Sequence, residues 1–298
     1  MTDKQGYSSA LKPFIFNMNT KLPIAFQGEP GANSDIAARA VFPDSVTLPC
    51  LIFADVFTEV REGKVDYAMI PIDNSIAGRV ADIHHLLRDT DTAIVGEHFQ
   101  PIEHRLFGVP EATLESIREV HSHIHALAQC RKYLHSHGFK TVVAEDTAGA
   151  AREVQEKGDP TIGAIASPLA GTLYGLVELA RNIEDAEHNT TRFVIIAREV
   201  HIPKQGSGKV ITSIFFRLRS VPAALYKAIG GFATNGINLL KLESYLGEGF
   251  QSAEFYIEAE AHPDDTAMKL ALAELQFFSE EVRLLGTYPM HPYRQSRK

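Results

Sequence analysis

The sequence contains no tryptophan and only two cysteines, Cys50 and Cys130, among its 298 residues. Two cysteines this far apart do not form the disulfide framework that is typical of small secreted proteins. The sequence also lacks an apolar run of the roughly 18 residues that a membrane-spanning helix needs. Basic residues are outnumbered, and the formal net charge is −8. A nucleic-acid-binding surface, which needs a cluster of basic side chains, is therefore not expected.

The two ends of the sequence carry few structural signals. Residues 1–22 contain lysines at positions 4, 12 and 21 and one short apolar cluster at 14–16. That cluster is too short for the core of a signal peptide, so we expect a flexible N-terminal extension and a cytoplasmic protein. The run Asn189-Thr190-Thr191 matches the N-glycosylation pattern, which requires a secreted protein, and we assign it no such role. Residues 291–298 are expected to be a basic, solvated tail.

Between residues 22 and about 203, short apolar runs alternate with helical patterns. This alternation favours parallel sheets wound from βαβ units. The run 22–28 (LPIAFQG) predicts a first strand, with Asn33 or Ser34 as the cap of the following helix, and 64–72 (KVDYAMIPI) predicts a second strand. Ligands of such sheets bind beyond the carboxyl ends of the strands.

The composition changes at residues 204–209, which read as a linker by their Gly, Ser and Lys content. The segment 210–290 then shows strand, helix, strand, a turn at 247–249, strand, helix and strand. This βαββαβ order predicts a ferredoxin-like domain.

Two loops at the ends of the first predicted strands are candidate binding loops. The first, 26–34 (FQGEPGANS), contains Gly28 and Gly31, which either let the backbone approach an anionic ligand or simply form turns. The second, 71–78 (PIDNSIAG), places polar side chains directly after a buried strand. Asn74 and Ser75 can hydrogen-bond a substrate carboxylate, or the run can be an ordinary helix cap.

Two further segments show small polar side chains at helix starts. In 120–130 (VHSHIHALAQC), three histidines alternate, but no carboxylate or cysteine stands at the usual zinc-ligand spacing. A substrate contact or a cap formed by Ser122 and His123 is favoured over a metal site. In 144–151 (AEDTAGAA), Asp146 or Thr147 caps a helix, and Thr147 with Ala148 can face a ligand.

The run 189–196 (NTTRFVII) places an arginine at the start of an apolar strand. A buried charge is costly unless it is paired. Arg192 can bind a carboxylate through two parallel hydrogen bonds, or it can form a structural pair, for instance with Asp185. Thr191 beside it offers a hydroxyl that can donate or accept.

Taken together, these motifs make the chain resemble the prephenate dehydratases that carry a C-terminal ACT regulatory domain. The resemblance covers residues 22–290 and rests chiefly on Thr191-Arg192-Phe193, the PIDNS run and 231–244 (GFATNGINLLKLES). It implies an α/β catalytic domain at 23–203 with two lobes, similar to periplasmic solute-binding proteins, followed by an ACT domain at 210–290. Lobe one would comprise 23–98 and 188–203, and lobe two 99–187, with the chain crossing between them near 98–105 and 188.

The resemblance implies conversion of prephenate to phenylpyruvate with loss of water and carbon dioxide, without a metal or an organic cofactor. It implies that L-phenylalanine inhibits the enzyme by binding ACT domains paired in a homodimer or homotetramer. The implied catalytic residues are Thr191, Arg192 and Phe193. The implied substrate contacts are Ser34, Asn74, Ser75, Ser122, Thr147 and Ala148. The implied phenylalanine-binding residues are Ala223, Ala224, Leu225, Asn238, Leu239, Glu243 and Ser244.

The chain departs from the family pattern at several of these motifs. Asp73 stands where the family often has Glu, and 122–125 (SHIH) stands for Ser-His-Pro-Gln. The first glycine loop reads GEPG at 28–31 instead of Gly-Pro-x-Gly. In the predicted ACT domain, 223–226 (AALY) replaces Gly-Ala-Leu-Val, and 243–246 (ESYL) replaces Glu-Ser-Arg-Pro. Arogenate dehydratase and a catalytically silent amino-acid sensor are the alternatives, whereas a solute-binding protein would need an export signal.

Overall fold

The computed structural model describes residues 22–80, 83–186, 188–246 and 253–295. The predicted N-terminal extension up to residue 21, the turn at 247–249 and the last three residues of the predicted tail lie outside the described residues.

The described residues form strands and helices in alternation. The strands are β1 (Ile24–Gln27), β2 (Thr47–Cys50), β3 (Tyr67–Asn74), β4 (Gly78–Arg79), β5 (Ala93–Pro101), β6 (Arg105–Gly108), β7 (Glu119–His123), β8 (Lys140–Ala144), β9 (Ile162–Ala166), β10 (Val177–Arg181), β11 (Thr190–Ala197), β12 (Val210–Leu218), β13 (Leu239–Leu246), β14 (Ala253–Ala259) and β15 (Ser279–Pro289). The helices are α1 (Asn33–Val41), α2 (Phe53–Arg61), α3 (Ile83–Asp89), α4 (Ile124–Gln129), α5 (Arg131–Ser136), α6 (Thr147–Lys157), α7 (Pro168–Leu173), α8 (Ala224–Thr234) and α9 (Thr266–Phe278).

The first sheet has the strand order β2-β1-β3-β11-β5, with β4 paired to the end of β3. Strand β1 runs parallel to both β2 and β3. Neither β2 nor the helix α2 that follows it is predicted from the sequence. Strand β2 contains Pro49 and lies at the edge of the sheet, which is where a residue without a backbone N–H is tolerated. A short edge strand of this kind has little apolar periodicity to detect.

The second sheet has the order β10-β6-β9-β7-β8. Strand β7 is parallel to β8 and β9, but β6 is antiparallel to both β9 and β10. The prediction of purely parallel sheets is therefore wrong at β6 and β10. Parallel neighbours need a crossover connection, and β6 and β10 are the strands by which the chain enters from β5 and leaves for β11.

The C-terminal sheet is antiparallel, with the order β13-β14-β12-β15. Its elements follow one another as βαββαβ, which confirms the predicted ferredoxin-like arrangement. Its core consists of buried side chains from the sheet and from the helices α8 and α9, among them Ile214, Phe216, Phe232, Ile257 and Leu275.

Most of the described part of the predicted C-terminal tail is packed, so its interpretation as solvated is wrong for residues 291–294. His291 is buried, and Arg294 donates hydrogen bonds to the carboxylates of Glu97 and Glu258. Both carboxylate side chains are 0% exposed. The basic residue therefore serves as the counter-charge of two buried acids, an arrangement that the tail's composition did not reveal.

The chain divides into two compact units. The first unit contains the described residues of Thr20–Ala81 and His98–Phe193, and the second contains those of Asp82–Glu97 and Val194–Lys298. Among the described residues, no helix combines the length and apolar character needed to cross a bilayer. Cys50 and Cys130 are both buried and free.

Candidate active site

The first unit places Asn74 and Thr191 in direct contact. Asn74 ends β3, and Thr191 lies at the start of the neighbouring strand β11. The side-chain nitrogen Nδ2 of Asn74 donates to the hydroxyl oxygen of Thr191 at 2.9 Å and to Oδ1 of Asn189 at 2.8 Å. The two sequence motifs that carried the family resemblance in this unit therefore form one hydrogen-bonded group.

The amide of Asn74 is held in one orientation. Its Oδ1 accepts hydrogen bonds from the backbone N–H groups of Ile76 at 3.0 Å and Ala77 at 2.8 Å. A backbone N–H can only donate, so the other end of the amide must be the NH₂ group. This local turn leads into β4, and the interpretation of the run as a helix cap is wrong.

Ser75 connects the same turn to the segment before Thr191. Its hydroxyl donates to the backbone carbonyl of His188 at 3.0 Å and accepts from the backbone N–H of Thr190 at 3.0 Å. The backbone N–H of Ser75 also donates to the carbonyl of Thr190 at 2.9 Å. These bonds fix the start of β11 relative to the end of β3.

Arg192 is paired, as a buried arginine must be. It is 5% exposed, and its guanidinium NH1 lies 3.3 Å from Oδ2 of Asp73 at the end of β3. The predicted alternative partner, Asp185, is used elsewhere, because its carboxylate accepts from the backbone N–H of Lys132 at the start of α5. The prediction of Asp185 as the partner is therefore wrong. Asp73 is the partner, and no role of its own was predicted for it within the run 71–78.

Phe193, the third residue of the motif, is 1% exposed and packs in the core of the unit. The structure thus presents Thr191 and Arg192 near the end of β3 and turns Phe193 into the interior. A role for Phe193 in catalysis stays a prediction. Because the side chain is buried, it would contribute by packing against the neighbouring residues and holding them in place.

The glycine loop before α1 packs against another helix of the same unit. A Cβ atom on Gly31 would lie 2.7 Å from Cα of Ala170 in α7, and Gly31 has φ +88°. The hydroxyls of Ser167 and Tyr174 donate to the backbone carbonyls of Gly31 and Pro30, at 2.6 Å and 3.1 Å. Gly31 is therefore required because the backbone packs closely against Ala170. The two predicted explanations, approach to a ligand and a simple turn, did not include this packing.

The predicted caps of α1 are replaced by a different arrangement. The N-cap residue is Ala32, which offers no side-chain cap. Asp35 takes over, because its Oδ2 accepts from the backbone N–H of Gly31 at 2.8 Å. Ser34 is 8% exposed in the first turn of α1. Asn33 and Ser34 are therefore wrong as caps, and Ser34 remains a predicted substrate contact.

The alternating histidines are divided between a strand and a helix. His121 and His123 belong to β7, and His125 lies in α4. His123 is the N-cap of α4, since its Nδ1 accepts from the backbone N–H of His125 at 3.3 Å. The hydroxyl of Ser122 is buried and donates to the carbonyl of Ile165 at 2.6 Å. His123 is thus confirmed as a cap, and Ser122 is engaged within its own sheet.

The start of α6 matches the predicted cap. Asp146 accepts from the backbone N–H groups of Ala148 and Gly149, at 2.8 Å and 2.7 Å. Thr147 is half-buried in the first turn, and the side chain of Ala148 is 0% exposed. The hydrogen bond of the Ser122 hydroxyl lies within its own sheet, and Thr147 and Ala148 remain predicted substrate contacts.

Sequence reasoning missed three polar residues that a chain of hydrogen bonds connects to Thr191. Asn189 had been weighed only as a glycosylation site, yet its Nδ2 donates to Oε1 of Gln129 at 2.8 Å. The Nε2 atom of His104 lies 2.7 Å from the same oxygen. The signal for Gln129 is its place in the segment 120–130 (VHSHIHALAQC), whereas His104 has no local signal. Such bonds join residues far apart in the chain and cannot be read from spacing.

A cavity of about 240 Å³ adjoins this network. Its lining residues are Ile76, Ala77, His125, Ala128, Gln129, Glu184, Asp185 and Ala186. It borders the network at Gln129 and at the turn that holds Asn74. Ligand-sized space therefore exists next to the polar group.

The two thiols are poorly suited to act as nucleophiles. Burial raises the pKa of Cys50 to about 11. Burial also raises the pKa of the Cys130 thiol well above its usual range, and the nearby carboxylates of Glu184 and Asp185 raise it further. Since the thiolate is the reactive form, neither cysteine is a reactive group at neutral pH.

In the second unit, the predicted phenylalanine-binding residues fall into separate groups. Ala223, Ala224 and Leu225 lie at the start of α8, and Ala223 has φ +58° in the left-handed region. Asn238 directly precedes β13 and Leu239 begins it, whereas Glu243 and Ser244 lie further along the strand. A strand rises about 3.3 Å per residue, so Asn238 and Ser244 stand about 20 Å apart.

Comparison with known proteins identifies the class to which this fold and polar group belong. The family model described as prephenate dehydratase matches residues 24–201. The chain belongs to the prephenate dehydratase family. The predicted fold class, an α/β catalytic domain with an additional ferredoxin-like domain, is confirmed.

Three relatives show how the similarity extends over the chain. A protein of Komagataeibacter europaeus, named bifunctional N-acyl-homoserine lactone acylase/prephenate dehydratase, is 48% identical over 280 residues, covering 93% of this chain and 99% of the relative. Arogenate dehydratase/prephenate dehydratase 1, chloroplastic, of Arabidopsis thaliana is 42% identical over 287 residues, covering 91% and 73%. The crystal structure of a prephenate dehydratase from Arthrobacter aurescens in complex with L-Phe has a TM-score of 0.81 at 31% identity, covering 91% and 90%.

Proposed function

We propose that this protein converts prephenate to phenylpyruvate, water and carbon dioxide, and that L-phenylalanine inhibits it. The observation that carries the proposal is the Asn74–Thr191 hydrogen bond beside the buried Arg192. We further propose that residues 23–203 form the catalytic domain and 210–290 the ACT domain, in agreement with the predicted boundaries.

Thr191 is the proposed donor to the leaving hydroxyl. Asn74 occupies a lone pair of the Thr191 oxygen, so the hydroxyl acts as an acceptor towards Asn74. Among the described residues, no acceptor for the Thr191 hydroxyl proton is found, so the proton remains available for the substrate. A threonine is a weak acid, and its contribution is a positioned hydrogen bond that strengthens as negative charge grows on the departing oxygen.

The reaction balances without an oxidant or reductant. The ring C–O bond breaks, and the hydroxyl leaves as water after taking up one proton. The bond to the ring carboxylate breaks, carbon dioxide leaves, and the electron pair of that bond completes the aromatic ring. Because aromatisation supplies the driving force, the protein mainly has to orient the substrate and stabilise the developing charge.

Arg192 is proposed to bind a substrate carboxylate. One arm of its guanidinium is held by Asp73 at 3.3 Å, which sets the plane of the group. A planar guanidinium in fixed orientation binds a carboxylate through two parallel hydrogen bonds. Burial at 5% exposure reduces competition from water and strengthens that interaction.

The remaining predicted substrate contacts are proposed with different roles. Ser75 is exposed and bonded to the segment before Thr191, so it can touch the substrate directly. Thr147 is half-buried and Ser34 is 8% exposed, so each can contact the substrate with only a small part of its side chain. Ser122 and Ala148 are 0% exposed and would act by supporting the surface that meets the substrate.

L-Phenylalanine is proposed to bind between two copies of the second unit. Asn238 and Ser244 lie about 20 Å apart along one strand, too far for both to contact a single amino acid. The strand β13 lies at the edge of its sheet. If two copies pair antiparallel along β13, the Asn238 end of one strand comes beside the Ser244 end of the other. This geometry supports a homodimer, or a homotetramer built from such dimers.

Arogenate is the alternative substrate, because it differs from prephenate only by an amino group in place of the keto group. The 42% identity to a relative named for both reactions supports testing it. A second activity, hydrolysis of N-acyl-homoserine lactones, is a candidate because the relative at 48% identity is named for both activities. The raised thiol pKa values argue that such an acylase would not use Cys50 or Cys130 as nucleophile.

We propose a cytoplasmic location. The two cysteines are free in the structure, as expected for a protein kept under reducing conditions. Neither a metal ion nor an organic cofactor enters the proposed mechanism, because every step uses the hydrogen-bonding groups of this chain.

The function is tested by incubating the purified protein with prephenate, arogenate and an N-acyl-homoserine lactone in parallel. Formation of phenylpyruvate that millimolar L-phenylalanine suppresses is the expected result. Turnover without suppression would remove the effector site from the proposal and leave the enzyme. A folded protein that binds phenylalanine but turns over neither prephenate nor arogenate would be a sensor, and the enzymatic proposal would fail.

A further inference from the structure

The hydrogen-bonded chain that begins at Thr191 ends at a buried histidine. From Asn74 it continues through Asn189 to Gln129, and the imidazole Nε2 of His104 lies 2.7 Å from Oε1 of Gln129. Asn189 and His104 are each 4% exposed. The chain therefore runs from the proposed catalytic hydroxyl into the interior of the first unit.

The direction of every bond in this chain follows from the backbone. Two backbone N–H groups occupy Oδ1 of Asn74, so its Nδ2 must donate, and one of its acceptors is Oδ1 of Asn189. The Nδ2 of Asn189 then donates to Oε1 of Gln129. An amide oxygen cannot donate, so His104 must supply the hydrogen between Nε2 and Gln129.

The surroundings of His104 favour this neutral, Nε2-protonated form. Burial lowers the pKa of His104 below its ordinary value, although the bond to Gln129 and the charge of Glu184 oppose the shift. The imidazole is thus a fixed donor that occupies one lone pair of the Gln129 oxygen. Without it, the Gln129 amide can rotate, and its Oε1 is then no longer held in place as the acceptor of Asn189.

We propose that His104 is a positioning residue for the dehydration, acting through Gln129 and Asn189 on Asn74. It holds Gln129 as the acceptor of Asn189 and so keeps Asn189 in place against Asn74. It thereby supports the geometry in which Asn74, whose direction the backbone sets, donates to Thr191 and leaves the hydroxyl proton for the substrate. This inference rests on the proposed function, since the hydroxyl is its end point. His104 does not touch the substrate.

The test compares two replacements of His104. His104→Gln can place an amide N–H near the position of the imidazole Nε2, whereas His104→Met has a similar length and no donor. One neutral hydrogen bond is worth about fivefold in rate. We expect His104→Met to lower kcat about fivefold, with KM changed less than about twofold, and His104→Gln to restore most of kcat.

The matched control is His121→Met. His121 is also 4% exposed, lies in the same unit on β7, and its ring is 3.6 Å from Glu119 instead of the Thr191 chain. Loss of a buried imidazole should lower the stability of both Met variants, but only His104→Met should lower kcat per folded enzyme. Equal kcat losses in both Met variants, or equal losses in His104→Gln and His104→Met, would overturn the proposal.

A spectroscopic readout keeps this inference separate from the proposed function. The ¹⁵N NMR shifts of the imidazole distinguish the Nε2-protonated from the Nδ1-protonated ring in wild-type protein without any substrate. The Nε2-protonated form supports the assigned direction. The Nδ1-protonated form overturns it, even if prephenate is turned over. If neither prephenate nor arogenate is turned over, the role in dehydration fails together with the proposed function, whatever the tautomer.

Discussion

The side-chain nitrogen of Asn74 lies 2.9 Å from the hydroxyl oxygen of Thr191, and the amide that carries it cannot turn round. Two backbone N–H groups of the following turn hold its oxygen. Asn74 at the end of β3 is thus the donor, and Thr191 at the start of the neighbouring strand β11 is the acceptor, of a hydrogen bond with a fixed direction. The proposed chemistry depends on that direction more than on proximity alone.

Replacing the donor NH₂ group of Asn74 by an acceptor oxygen should impair catalysis. Asn74→Asp keeps the oxygen that accepts from Ile76 and Ala77 but offers no hydrogen to Thr191. The Thr191 hydroxyl would then donate to the new carboxylate instead of the substrate. We expect kcat to fall about 10- to 100-fold, the scale of a positioned proton donor. Steady-state kinetics, with circular dichroism to verify folding, check this, and an unchanged kcat would contradict it.

Close packing at Gly31 should make this position intolerant of a side chain. In Gly31→Ala the new Cβ would meet the backbone of Ala170 at 2.7 Å, and the residue would keep φ +88°. We expect a loss of about 2–4 kcal/mol in the free energy of unfolding. Gly158→Ala is the matched control, because it has φ +62° but open space around the new Cβ. It should cost only about 1 kcal/mol, and equal urea-unfolding losses in the two variants would refute the packing argument.

Removal of the arginine near the C-terminus should destabilise the second unit. Arg294 bonds to Glu97 and Glu258, whose side chains are 0% exposed. Arg294→Met removes the shared cation and leaves two buried carboxylates, so we expect a loss of about 3 kcal/mol in stability. Arg294→Lys keeps the charge and should lose less. Thermal unfolding followed by circular dichroism measures both, and a melting temperature like that of wild type in the Met variant would show that this segment is dispensable.

The left-handed backbone at Ala223 predicts an unusual gain from glycine. An alanine at φ +58° carries a steric cost of about 1 kcal/mol that glycine does not. Ala223→Gly should therefore leave the free energy of unfolding unchanged or raise it by up to about 1 kcal/mol, even though glycine also favours the unfolded chain. The family loop carries glycine here, so phenylalanine inhibition should be kept.

The neighbouring residue provides the control for that prediction. Ala224 begins α8, and Ala224→Gly should lower the free energy of unfolding by up to about 1 kcal/mol, because glycine is a poor helix former. Urea unfolding compares the two variants. Destabilisation of Ala223→Gly to the same extent as Ala224→Gly would contradict the strain at Ala223.

Much of the architecture could be predicted from local patterns, because long apolar runs and caps act over a few residues. The run that became β12 was predicted with its bounds, and Asp146, which caps α6, was one of the two residues predicted for that cap. The edge strand β2, with its proline, and the antiparallel β6 were not, since edges and strand directions depend on partners distant in the chain.

The candidate site was only partly readable for the same reason. Thr191, Arg192 and Asn74 stood out by residue type at strand ends. The partner of Arg192 was predicted wrongly, because Asp73 is 119 residues away and comes close only when β3 and β11 lie side by side. His104 could not be found, since its role lies in the direction of a hydrogen bond to Gln129.

The most direct test of the account is phenylpyruvate formation from prephenate by Thr191→Val, compared with Thr191→Ser and wild type. Valine has nearly the shape of threonine but no hydroxyl, and serine keeps the hydroxyl without the methyl group. The account predicts that Thr191→Val folds normally and loses at least about 10- to 100-fold in kcat, while Thr191→Ser retains most of it. A well-folded Thr191→Val enzyme with kcat within about twofold of wild type would contradict it.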